Sequence, residues 1–131
     1  MIAWSISLLL AGLSGVEAPD ATFDHGRFCE IMQMVASLPS TQPGARIQKN
    51  IHHGGVLVHC EDRAVEIRTV LHTPLKAMGK GWLAVQKRNW HDDNCSDPLL
   101  AGAIAHGWSL KAVILVGSNE AASFTVSCAG D

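Results

Sequence analysis

Histidine is the side chain best placed to do acid–base or metal chemistry near neutral pH, and this chain has seven in 131 residues. Three side chains form a possible set. If Gly54-Gly55 is a two-residue hairpin turn, His52 pairs with Leu57, and His59 lies diagonally beside it on the same face. If the chain turns again at Asp62-Arg63, Glu66 stands opposite His59. Two imidazoles and a carboxylate can hold zinc or copper with a fourth position open, as in a metal-binding protein or a small metallo-hydrolase. The alternative is a solvated sheet face with one His–Glu cross-strand pair, since several registers must agree before His52, His59 and Glu66 converge.

His91-Asp92-Asp93-Asn94 is the second polar group. Adjacent carboxylates and an amide suit a hard cation such as calcium. No EF-hand spacing follows, and the same residues commonly build a loop ahead of a helix cap. Trp90 directly precedes them. An aromatic anchor beside a polar loop is what a recognition surface presents, so Trp90, His91, Asp92 and Asp93 form the candidate partner-binding patch; the alternative is that Trp90 caps the core and the loop merely solvates the turn. Trp82 and Trp108 are assigned to the core. Lys76, Lys80 and Lys87, with Arg88, form a basic helix face that is either solvated or turned toward an acidic partner. His53, His72 and His106 are isolated, and His106 beside Gly107 suits a helix C-terminus.

Catalytic signatures are missing. The chain has no HExxH, no GxxxxGK[ST], no GxGxxG, no nucleophile-elbow serine and no tyrosine. No residue is therefore nominated as catalytic. A formal net charge of −2, from 10 Lys+Arg against 12 Asp+Glu, excludes a general nucleic-acid binder. A chain 47% hydrophobic and 17% charged is not intrinsically disordered, and its length fits one domain.

The elements that must position these residues follow from spacing. Thr22 or Asp24 can cap a helix in which Phe28, Ile31, Met32 and Val35 recur at helical intervals. The loop over residues 39–44 stops it. Ile51, then Val56, Val58 and Cys60, then Val65 and Ile67 alternate with other residues as in a three-stranded meander. Thr73-Pro74 starts a second helix, striped by Leu75, Met78, Trp82, Val85 and Asn89, which Gly79 and Gly81 tend to break in two. Asp97-Pro98 starts a third, short helix closed by Gly107. Residues 108–116 are apolar on both faces, which predicts a central strand. A turn over residues 117–120 returns the chain through Phe124, Val126 and Cys128.

Ile2 to Val16 carry no charge. That run is short for a membrane span, which takes about 20 residues, and matches a signal peptide over residues 1–18, with cleavage between 14 and 21. An uncleaved anchor is the alternative. Residues 19–131 then form a single exported domain. Cys29, Cys60, Cys95 and Cys128 are even in number, widely spaced and without CxxC, which argues for two disulfides rather than a zinc or redox site. The local pairing, Cys29 with Cys60 and Cys95 with Cys128, ties a helix to the hairpin that follows it in each half.

These features predict an α+β domain. An antiparallel sheet built from two hairpin or meander units carries about three helices on one face. The corresponding function is a non-catalytic binding or accessory protein, periplasmic or secreted, such as an inhibitor, an immunity-type protein or an envelope assembly factor. Its expected partner is a protein in the cell envelope or outside the cell, with no stable transmembrane span after signal cleavage and no cofactor unless the histidines take zinc or copper.

Overall fold

The computed structural model describes residues 23–128. The expected leader and its cleavage region lie outside them. The first helix, α1 (His25–Ala36), begins where the Asp24 carboxylate accepts the Arg27 backbone N–H at 2.9 Å, satisfying one of the free donors of the first turn. Its buried side chains are Phe28, Ile31, Met32 and Val35, the stripe expected from the spacing. One 3-10 turn (Pro39–Thr41) ends the segment, and the Thr41 hydroxyl donates to the Val35 carbonyl at 2.6 Å.

Three antiparallel strands follow: β1 (Arg46–Gln48), β2 (Ile51–His59) and β3 (Ala64–Leu71). The first turn is not at Gly54-Gly55. It lies at Lys49-Asn50, with Asn50 at φ 65°, and the glycine pair sits inside β2 at a register shift between His53 and Gly55. Strand β3 passes too close for any other residue: a Cβ on Gly54 would stand 2.8 Å from the Arg68 Cβ. Gly55 has φ 99°, a conformation open to glycine at little cost. A glycine pair is thus a bulge signal as well as a turn signal. The turn expected at Asp62-Arg63 is present, with Arg63 at φ 51°.

The predicted second helix is split. Leu75–Met78 form a 3-10 turn, Gly79 and Gly81 take positive φ, and helix α2 runs from Trp82 to Cys95. The loop expected over residues 91–94 is instead its last turn. Helix α3 (Pro98–Ala105) begins as expected, with the Asp97 carboxylate accepting from the backbone N–H groups of Leu99 and Leu100 at 2.9 and 3.2 Å.

Strand β4 (Ser109–Val116) pairs with β3 in parallel, and β5 (Asn119–Val126) returns antiparallel to β4. The sheet order is β1-β2-β3-β4-β5. The two units expected from the sequence therefore join along a parallel pair in a mostly antiparallel sheet, and the helical segment between β3 and β4 is the crossover that a parallel pair requires. Val65, Ile67 and Leu71 of β3, with Leu110, Ala112 and Ile114 of β4, share one core with Phe28, Ile31, Met32, Trp90, Leu100 and Trp108. Two disulfides close it, Cys29–Cys60 and Cys95–Cys128, with Cα separations of 5.8 and 5.5 Å. Among the described residues no helix is long and apolar enough to cross a membrane.

Candidate functional site

Displacing the first turn changes the neighbours of every histidine on β2. His52 pairs with Val70 rather than Leu57, whose partner is Glu66, while His59 pairs with Ala64. His52 and His59 are thus near opposite ends of a nine-residue strand, far beyond reach of one ion at about 3.3 Å per residue. Glu66 is held by Arg68, whose Nε lies 2.7 Å from Oε2. His52 meets His72 instead, with ring centroids 4.5 Å apart and planes nearly perpendicular. No group of three or more His, Cys, Asp or Glu side chains suited to a metal forms among the described residues.

The Trp90 patch also resolves differently. Trp90 is 2% exposed and packs edge-on against Phe124, so it is a core residue. Asn94 is fully buried and donates its amide to the Trp90 carbonyl at 2.8 Å. Asp92 is exposed and contacts His91 (Nδ1 to Oδ1, 3.0 Å), and Asp93 is half-buried on the same turn. Four polar residues in a row read as a loop, yet alternate members of a helix can face solvent while its buried stripe runs through Gln86, Trp90 and Asn94.

Trp82 has the opposite fate. It is the first residue of that stripe, and it packs against the edge of the core, as placed by sequence, while keeping part of its surface in solvent. A shallow groove opens on each side. One, of about 420 Å³, is lined by Gln48, Met78, Lys80, Val85 and Gln86 besides Trp82. The other, of about 560 Å³, is lined by Pro74, Leu75, Lys76 and Leu83. The left-handed backbone at Gly81 (φ 82°) turns the chain sharply into α2 and leaves the indole flanked by both. Gln86 is 1% exposed, and its Oε1 has no hydrogen-bond partner. Such an atom costs free energy. Apolar walls, a partly exposed tryptophan and a polar residue in the lining are the ingredients of a binding site. The sequence signals available for it were the two glycines around Lys80 and the concentration of lysine nearby.

Two histidines away from this site carry resolved electrostatics. His25 accepts the Trp108 indole N–H at Nδ1, 2.9 Å away. Its pKa lies below the ordinary 6.5, first through desolvation and then through the positive charge of Arg63 and His106. His53, 6% exposed, is lowered by burial, and its Nδ1 accepts the Gly55 N–H at 3.1 Å across the bulge. Protonation there removes the acceptor. A histidine whose folded pKa is depressed binds its proton more readily in the unfolded chain, so its contribution is complete above pH 6.5 and is lost as pH falls through the lowered value. Urea unfolding from pH 7.5 to 4.5 should show stability declining on the acid side of 6.5, with a shallower decline in His53→Asn, whose amide oxygen can replace Nδ1. An equal slope in both proteins rules out His53 as a source of the acid sensitivity.

No protein-family model matches this sequence, and no curated protein is similar to it in sequence. In structure it is similar to a candidate secreted protein from Pseudomonas aeruginosa known from a 1.60 Å crystal structure, with a TM-score of 0.60 and 13% identity over 79% of this chain and 91% of that one. At that identity the likeness is one of fold. The two disulfides fit a protein that folds in an oxidising, extracytoplasmic compartment.

Proposed function

We propose that this protein is a non-catalytic, exported binding protein, periplasmic or secreted, which holds a segment of a partner protein against Trp82. The inhibitor, immunity-type and envelope-assembly roles are all of this kind. One observation carries the reading: Trp82 keeps part of its ring in solvent between two apolar-walled grooves, while Trp90 and Trp108 are buried. Tryptophan is strongly enriched among the residues that dominate binding energy, and shallow open grooves suit a peptide chain better than an enclosed small molecule. The Cys95–Cys128 disulfide ties α2, whose first turns line the grooves, to the end of β5, which limits the ordering cost of association.

Panning a phage-displayed dodecapeptide library against the oxidised protein tests the proposal. Enriched peptides should bind the wild type and lose about thirtyfold in affinity with Trp82→Ala, the loss expected of a hot-spot residue. The variant should keep its fold by circular dichroism. Peptides indifferent to Trp82, or a library from which nothing is enriched, would overturn the reading.

A further inference from the structure

We infer that the partner segment is acidic as well as apolar, and that Gln86 accepts a hydrogen bond from it. This rests on the Trp82 reading and adds the chemistry of the occupant. Charge is strongly segregated along the chain: residues 67–91 contain Arg68, Lys76, Lys80, Lys87 and Arg88 and not one Asp or Glu, in a protein whose formal net charge is −2. Half of the 10 cations therefore lie in this stretch. Arg68 is neutralised by Glu66, and Lys87 lies over the Phe124 ring, 5.9 Å from its centroid. Lys76 and Lys80 are exposed and make no ion pair among the described residues. Each lines one of the two grooves, and no carboxylate lines either.

The two sides of Trp82 thus present the same pattern, an apolar wall with one uncompensated ammonium. A segment that lays a bulky apolar side chain beside the indole brings its neighbouring residues to the lysines, and carboxylates there gain attraction. Gln86 supplies the directional element. It is more than nine-tenths buried, it lines the Lys80 groove, and its Oε1 is an acceptor without a donor. A peptide N–H or side-chain amide is a donor of matching chemistry; because Oε1 is itself out of contact with solvent, the Gln86 side chain must turn toward the groove to take that bond, and doing so satisfies an atom that is otherwise costly to bury.

The same library, panned in parallel against wild type, Lys76→Glu/Lys80→Glu and Gln86→Met, tests this separately from the Trp82 reading. Wild-type peptides should carry Asp or Glu within a few positions of Trp, Phe, Leu or Ile, and their affinity should fall as salt screens the charges. The charge-reversed variant should reject them and enrich basic peptides. Gln86→Met should weaken the wild-type peptides by two- to tenfold, the worth of one hydrogen bond, while melting no lower than the wild type; a purely structural glutamine would leave affinity unchanged. Peptides that require Trp82 but are neutral or basic would overturn the inference and leave the binding reading standing. Phosphatidylglycerol vesicles bound in a Trp82-dependent way, with no peptide enriched, would assign the grooves to a membrane surface and overturn both.

Discussion

Replacing all four cysteines with serine should leave the chain without a stable fold at 25 °C. The disulfides Cys29–Cys60 and Cys95–Cys128 span 31 and 33 residues. Closing loops of that size limits the unfolded chain by roughly 3–4 kcal/mol each in the chain-entropy treatment. A domain of this size has about 5–15 kcal/mol in total, so the two losses together, about 6–8 kcal/mol, equal or exceed the lower part of that range. The bridges also act on different joints. Cys29 lies in α1 and Cys60 just beyond β2, whereas Cys95 ends α2 and Cys128 follows β5. Removing one pair should therefore weaken the domain without abolishing it. Denaturant unfolding of the wild type, each paired variant and the fourfold variant checks this. A fourfold variant within 2 kcal/mol of the wild type, roughly half of what one bridge should contribute, would show that packing alone sustains the fold.

Trp90→Ala should be the most damaging single substitution in α2. The indole is fully enclosed between the helix and β5, and truncating a buried aromatic costs about 3–5 kcal/mol through lost transfer energy and the cavity left behind. Trp82→Ala, eight residues earlier on the same stripe, should cost clearly less because its ring keeps contact with water. Trp90→Phe is a useful intermediate: the Trp90 Nε1 has no hydrogen-bond partner, so this change loses volume and no hydrogen bond. Urea unfolding of the three variants should show Trp90→Ala costing more than either Trp90→Phe or Trp82→Ala. Trp82→Ala more destabilising than Trp90→Ala would reverse the assignment of core and ridge, and with it the placement of the binding surface.

That assignment marks where local reasoning fails. Both tryptophans belong to a helical pattern, and their spacing does not say which end of the helix overhangs the core. The stripe read from the sequence ran through Leu75, Met78, Trp82, Val85 and Asn89, whereas the structure buries Gln86, Trp90 and Asn94. Gly79 and Gly81 separate the first two of those residues from α2, and the rest of the helix takes its phase from β5 and the Cys95–Cys128 bridge. A buried glutamine and asparagine are unexpected because burying amides is costly. Gln86, which lines the Lys80 groove, is thus hidden from hydropathy patterns.

The set of His52, His59 and Glu66 failed to converge for a related reason. It required Gly54-Gly55 to be a turn, and a one-residue error in register sends every side chain of a strand to the opposite face. Gly54 is needed because β3 runs close beside it, a contact between residues 54 and 68 that no local pattern reveals, and Gly55 because its backbone takes φ 99°. The parallel joint of β3 and β4 is equally non-local, since it depends on how 37 residues between them, 72–108, cross the sheet.

The sequence by itself determined the α+β class, the caps at Asp24 and Asp97, the buried stripe of α1, the central position of β4 and the pairing of the cysteines. Each of these depends on residues within a turn or two of one another, or on a small number of alternatives. Tertiary structure alone decided the register of β2, the phase of α2 and which tryptophan meets solvent. Those depend on the free energy of packing whole elements together, where one buried ring or one close backbone approach outweighs the local preferences of several residues.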